Sequence, residues 1–296
     1  MRAHINDYAL ILPIFHVKRI SLNKKKDQSM SISVPTNTTL SVGIAGTGAL
    51  GSAVAHALIN GIDGLKLTHL SDLTPNKDFN IPYVDFDELA NECDIIVECL
   101  PPKAVPELAE KVLKAQKTLI MISSCALLIY PEILDIHKDT HSRIIVPSGA
   151  LSGIDGVKAL KELGIISSKI ASTKHPRGFT GAPYVDKMGI DLTQIKTKTK
   201  IFEGNAFEAA NAFPANVNVA ATLSLAALGP EKTRVEIWAD PEAKGNMHEL
   251  TIEGTYSTLY SRIENKPDPA NPKSSMLAAQ SIVSALKDMH NQLIVL

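Results

Sequence analysis

Three glycines stand at Gly46, Gly48 and Gly51, spaced G-x-G-x-x-G. The apolar run "LSVGIAG" leads into them and the alanine-rich "ALGSAVAHALIN" follows. Strand, tight turn, helix is the setting in which this spacing binds a dinucleotide. The first glycine permits the turn, the second lets backbone approach a pyrophosphate, and the third lets the helix lie against the strand. Free N–H groups and the helix dipole then attract the phosphates. Gly46, Thr47, Gly48, Ala49, Leu50 and Gly51 are therefore expected to bind a cofactor. Asp72, which closes "THLSD", is expected to bind the adenosine ribose and so to favour NAD over NADP. A turn-forming aspartate before "LTPN" is an equal alternative.

Other residues could act on a substrate. His248, in "NMHELTIEG", follows a turn and starts an alternating stretch. Alternation puts His248, Leu250 and Ile252 on one face, opposite Glu249, Thr251 and Glu253. Taken alone, such a ring is a buried core histidine; in a cleft between domains it exchanges protons near neutral pH. Asn216 and Asn218 in "FPANVNVAATLSL" either cap a helix or offer an amide to cofactor or substrate. Lys174, His175 and Arg177 in "STKHPRGFTGAP" are read as a loop able to clamp a carboxylate. Ser123, Ser124 and Cys125 end the strand "KTLIMISS" and are candidate cofactor neighbours. His137 and His141 are four apart, as in a helical metal pair, but lack a third ligand, so no metal is expected.

These residues need a frame that brings them together. From Leu40 onward strands and helices alternate: "LKLTHLSD", "DIIVECL", "KTLIMISS" and "SRIIVPSG" are strands, separated by "DFDELANEC", "AVPELAEKVLKAQ" and "YPEILDIHKD" as helices. That order predicts an α/β fold with a Rossmann-type doubly wound parallel sheet. Beyond Ser148 the runs "RVEIWAD", "HELTIEG" and "YSTLYSRIEN" predict a second α/β domain with an open, mostly antiparallel sheet. "IDGVKALKEL" and "VNVAATLSLAAL" are expected to cover it. Residues 1–38 read as a flexible polar extension, 39–147 as the dinucleotide-binding domain, and 148–271 as the substrate and dimerisation domain. "NKPDPANPK", with Pro267, Pro269 and Pro272, reads as a stiff crossing to a last helix, 272–296, that completes the first domain.

Bulk composition narrows the function classes. The chain has 296 residues, 45% hydrophobic and 21% charged, with net charge -1. A near-neutral balance and 5% aromatics exclude nucleic acid held by bulk charge or base stacking. No apolar run is long enough to span a membrane. Cys93, Cys99 and Cys125 show no C-x-x-C spacing and read as reduced thiols of a cytoplasmic protein.

Several blocks together resemble the L-aspartate dehydrogenase family: "GTGALG", "VECLPPKAV", "VPSGALSGIDGVKAL", "FPANVNVAATLSLAALGPEKTRVEIWADP", "NMHEL" and "NPKSSMLAAQS". The resemblance covers Leu40 to the C-terminus. It implies NAD(P)-dependent oxidation of L-aspartate to iminoaspartate, which yields oxaloacetate and ammonia or feeds NAD biosynthesis, in a homodimer. It makes His248 the catalytic histidine and Ala150 and Asn218 cofactor contacts. Lys174 and Asn218 are the expected substrate-binding residues. The chain departs from the family in reading "SSCALL" after its strand and Lys174-His175-Pro176 where Lys-Pro-Pro is usual. Rival readings are a related reductase of another amino acid or oxo acid, and a non-catalytic NAD(P)-binding sensor.

Overall fold

The computed structural model describes residues 39–266 and 275–295. The extension 1–38 and the prolines at 267, 269 and 272 lie outside them. Elements follow in the order β1 (Leu40–Ala45), α1 (Ala49–Ile59), β2 (Leu65–Ser71), α2 (Phe86–Glu92), β3 (Ile95–Glu98), α3 (Val105–Lys114), β4 (Thr118–Met121), α4 (Ala126–Ile129), α5 (Glu132–Lys138) and β5 (Arg143–Ile145). These strands form one parallel sheet in the order β2-β1-β3-β4-β5. It is the α/β, Rossmann-type sheet that the alternation predicts. Ile95, Ile96 and Val97 of β3 are fully buried, because helices cover both faces.

The chain continues as α6 (Ile154–Leu163), β6 (Ile165–Lys174), α7 (Pro183–Met188), β7 (Thr199–Asn205), α8 (Ala206–Ala212), α9 (Asn218–Ala226), β8 (Thr233–Ala239), β9 (Asn246–Gly254), β10 (Thr258–Asn265) and α10 (Met276–Asp288). The second sheet runs β10-β9-β6-β8-β7. All its pairings are antiparallel except β6 with β8. It is thus mostly antiparallel, as expected. Two of its strands, β6 and β7, and the helices α7 and α8 escape the sequence reading. The serines of "IISSKIASTK" and the polar "TKIFEGN" resemble loop composition. Pairing on both sides keeps the serine-rich β6 extended nonetheless.

α10 returns to the first sheet. Ile282, Val283 and Leu286 are buried with Val54, Ala55 and Leu58 of α1. The helix ends at Asp288, so His290 lies just past it rather than on it, with its ring against Gly64. On the other side, the apolar faces of α6, α8 and α9 pack on the second sheet: Val157, Ala209 and Leu223 share a core with Ile170, Val235 and Leu250. Among the described residues no helix is long and apolar enough to cross a membrane.

Candidate functional site

A cleft of about 350 Å³ opens between the carboxyl edge of the first sheet and the second sheet. Gly48, Ala49 and Leu50 from the glycine turn, Lys174 and His248 from the second sheet, and Cys99, Ala150 and Asn218 all line it.

The glycine turn is shaped by close backbone approach. Gly46 sits at φ +90, and a Cβ there would lie 2.5 Å from the Cys99 carbonyl oxygen. A Cβ on Gly51 would lie 1.8 Å from the Gly46 carbonyl oxygen, because α1 crosses directly over the turn. Gly48 is different: nothing lies within 4 Å of its Cβ position. It is the N-cap of α1, with no side-chain cap and no acidic residue in the first turn. The site therefore offers unclaimed amides, the positive end of an 11-residue helix and open space above one glycine. That combination fits the pyrophosphate of a dinucleotide. Thr47 faces inward instead, where its N–H donates to Asp72 Oδ2 (2.5 Å) and its hydroxyl to the same oxygen (2.9 Å).

Asp72 directly follows β2, and both its carboxylate oxygens are engaged. Oδ1 accepts from the Thr74 N–H at 2.8 Å, which is the turn-forming role. Burial would raise its carboxyl, but the hydrogen bonds from Thr74 and Thr47 outweigh it and hold the group below its ordinary value. A full negative charge thus stands beside the glycine turn.

Ser123, Ser124 and Cys125 do not line the cleft, contrary to expectation. They turn back into the protein. The Ser124 hydroxyl donates to the Asn218 carbonyl and meets the Thr222 hydroxyl, each at 2.9 Å. Burial pushes the Cys125 thiol up to about 12, which excludes a thiolate nucleophile there. The cleft is lined instead by Cys99 and Ile122, nearer the strand ends.

Glu98 explains how these two loops are held. It is fully buried at the end of β3. Its Oε1 accepts from the Leu100 N–H at 2.6 Å and its Oε2 from the Ser123 N–H at 2.9 Å. Burial pushes this carboxyl up to about 7. One side chain thereby joins the loop carrying Cys99 to the loop carrying Ser123. The acid in "IIVECL" was the available sequence signal, since a charge ending a buried strand needs a reason.

From the second sheet come the polar side chains. Asn218 opens α9 rather than capping it; Val217 is the N-cap and contributes no side-chain bond. The Asn218 Oδ1 accepts from the Cys125 N–H at 3.2 Å, so its side chain is tied to the loop after β4. Lys174 is the last residue of β6, which corrects its placement on a loop. Its ammonium donates to the Asn216 carbonyl and Oδ1, both at 3.3 Å. Burial pulls this ammonium down to about 8. His175 folds back to accept from the Arg177 N–H, and Arg177 is exposed and absent from the cleft wall.

His248 is buried to 2% exposure on the helix-covered face of β9, with Leu250 and Ile252, as alternation predicts. Its Nδ1 lies 2.9 Å from the Ser172 hydroxyl, and its ring borders the cleft. Burial, reinforced by the Lys174 charge, lowers it to about 3, so it is a neutral imidazole at working pH. Ala150 sits in the turn after Gly149 (φ +65), whose N–H donates to Ser281 of α10 at 3.1 Å. Ala150 is held by Asn265, which donates to its carbonyl at 3.4 Å. Gly48, Ala49, Leu50, Ala150, Lys174, Asn218 and His248 thus converge on one cleft, while Gly46, Thr47, Gly51 and Asp72 support it from behind. His137 bonds Ser142, and no group of three metal-ligating side chains exists among the described residues.

Comparison with known proteins gives a consistent result. The family profile described as "Aspartate dehydrogenase, C-terminal" matches residues 155–289. That described as "Homoserine dehydrogenase, NAD binding domain" matches residues 46–147. The L-aspartate dehydrogenase of Methanosarcina acetivorans is 40% identical over 265 residues, covering 85% of this chain and 97% of that one. The L-aspartate dehydrogenase of Methanococcoides burtonii is 38% identical over 266 residues, covering 86% and 98%. Among solved structures, the aspartate dehydrogenase of Thermotoga maritima matches with a TM-score of 0.69 at 27% identity, covering 86% of this chain and 99% of that one.

Proposed function

The chain belongs to the aspartate dehydrogenase family, and on that premise we propose that it oxidises L-aspartate to iminoaspartate with NAD. The observation that carries this reading is the convergence of His248 and Lys174 on the cleft that begins at Gly48. A neutral imidazole and a buried ammonium are what a dicarboxylic amino acid needs: one proton acceptor and one anchor for a carboxylate. The amides of Ala49 and Leu50 would hold the pyrophosphate, and Ala150 and Asn218 the nicotinamide end. When bound, the nicotinamide supplies the acceptor for the hydride that leaves the substrate α-carbon.

The protein's own groups do the rest. Lys174 holds a substrate carboxylate, with Asn216 keeping the ammonium in place. His248 takes a proton from the substrate amine or from the water that hydrolyses the imine. The cleft walls restrict water and hold the reactants at attack distance. The negative Asp72 beside the glycine turn disfavours a 2′-phosphate, which is why the proposal names NAD over NADP. The iminoaspartate yields oxaloacetate and ammonia or enters NAD biosynthesis. The proposal keeps 39–147 with the last helix as the cofactor domain and 148–271 as the substrate and dimerisation domain. A homodimer is supported by the outer face of the second sheet, where the aromatic Tyr260 is exposed. Cys93, Cys99 and Cys125 are free thiols, which suits the cytoplasm.

The test is NAD(P)H formation by purified protein from L-aspartate, with D-aspartate, L-glutamate and L-homoserine as controls. Turnover selective for L-aspartate is expected; equal or better turnover of a control overturns the substrate assignment. The Lys174 role has a separate signature. Its charged form is present below about 8 and lost above it. Competitive inhibition by succinate should therefore be constant at lower pH and weaken by roughly tenfold per unit above that point. Lys174→Met should raise the succinate constant by about 10²-fold and abolish this limb. Inhibition that ignores both pH and the substitution would remove Lys174 from substrate binding.

A further inference from the structure

Among the described residues the ring of His248 hydrogen-bonds one side chain, the Ser172 hydroxyl. Ser172 on β6 is the register partner of His248 on β9, so both point to the same face of the sheet. Beyond them in the sheet, Ser172 pairs with Ile237 of β8 and His248 with Ile263 of β10. The pair is therefore flanked by apolar side chains on both sides. Ser172 is 4% exposed, and its hydroxyl has Nδ1 as its hydrogen-bond partner among the described residues. Lys174 lies two residues along β6 on the same face, and Cys99 is the other titratable group of the cleft wall.

We propose that Ser172 is the positioning residue of His248, turning its Nε2 to the cleft and letting the ring exist there in either neutral tautomer. The inference rests on the proposed reaction for its kinetic consequences. A carboxylate at position 172 would demand a proton on Nδ1 permanently. A hydroxyl both donates and accepts. When Nδ1–H donates to the Ser172 oxygen, the Nε2 lone pair accepts a proton from the substrate nitrogen or attacking water. The imidazolium so formed keeps its Nδ1–H on Ser172 and returns the Nε2 proton to water. When the Ser172 O–H donates to Nδ1 instead, Nε2–H faces the cleft as a donor. The same ring thus serves oxidation and the reverse amination without a second acid. The nearby Lys174 charge disfavours a lasting imidazolium, so the ring gives up the transferred proton and rests neutral between turnovers.

The experiment compares wild type, Ser172→Ala and Ser172→Thr in the full chain. In Ser172→Ala, kcat for L-aspartate should fall by roughly 10- to 100-fold with KM changed less than about threefold, NADH binding should stay near wild type, and Tm should drop by only a few degrees as Nδ1 loses its buried partner. Ser172→Thr, which keeps the hydroxyl, should recover most of kcat. Nitrogen-15 shifts of labelled histidine, assigned with a His248→Gln control, should show averaged tautomers at His248 in wild type and a single dominant tautomer in Ser172→Ala. Unchanged His248 shifts in Ser172→Ala overturn the proposal, as does unchanged kcat in an otherwise active enzyme. If wild type turns over no aspartate, the reaction assigned above fails, and the nitrogen shifts still decide the role of Ser172.

Discussion

Replacing His248 with alanine lowers kcat for L-aspartate by roughly 10²- to 10⁴-fold, the range expected on removing a general acid–base group. Cofactor affinity should barely change, because the proposed phosphate contacts come from the glycine turn and the N-terminus of α1, not from β9. The effect should also be free of an acid limb from this residue, since the ring stays neutral down to about 3. Alanine leaves a void beside Leu250 and strips Ser172 of its partner, costing about 1–3 kcal/mol of stability. His248→Gln, which fills more of that space, separates lost chemistry from lost packing. Glu249 is the matched control: it is the next residue on the same strand but faces the opposite side. Glu249→Ala should keep near-wild-type kcat. Full activity in both His248 variants would remove the imidazole from the reaction.

The second large effect divides two glycines of one motif. In Gly51→Ala the new methyl would stand 1.8 Å from a backbone carbonyl, and no flexible side chain is there to give way. Helix α1 would have to lift from β1, where Val54 and Ala55 are fully buried. A loss of about 3 kcal/mol or more is expected, read as a large drop in Tm without any ligand. Gly48→Ala meets open space and an extended backbone that alanine also adopts. Its ligand-free Tm should stay within the small range of surface substitutions, about 0.5 kcal/mol in stability. Its NADH Kd should nevertheless weaken by roughly tenfold or more, because the methyl occupies the phosphate approach. Calorimetry and fluorescence titration on the two variants check this directly. A Gly51→Ala protein as stable as wild type would contradict the crossing of α1 over the turn. A Gly48→Ala protein with normal NADH affinity would move the pyrophosphate elsewhere.

The glycine turn was written in local sequence. A glycine turn between strand and helix needs only neighbouring residues, so Gly46 to Gly51 could be read directly from the chain. The same holds for the face of His248, because strand alternation has a period of two and places every second residue together. The resemblance added Ala150 and Asn218, which the structure brings to the same cleft.

What tertiary structure decided is everything that depends on which strands become neighbours. Serine-rich β6 read as no element at all, yet it is the central strand of its sheet and carries both Ser172 and Lys174. The Ser172–His248 pair spans 76 positions of sequence, and no local pattern encodes a register between strands so far apart. Ser123, Ser124 and Cys125 showed the opposite error: their position at a strand end suggested the cleft, but Asn218 and Thr222 of α9 claim that loop. Residue type and spacing fixed which chemistry was possible; long-range pairing and burial chose the partners and set the protonation states, because both depend on side chains that meet only after the chain has folded.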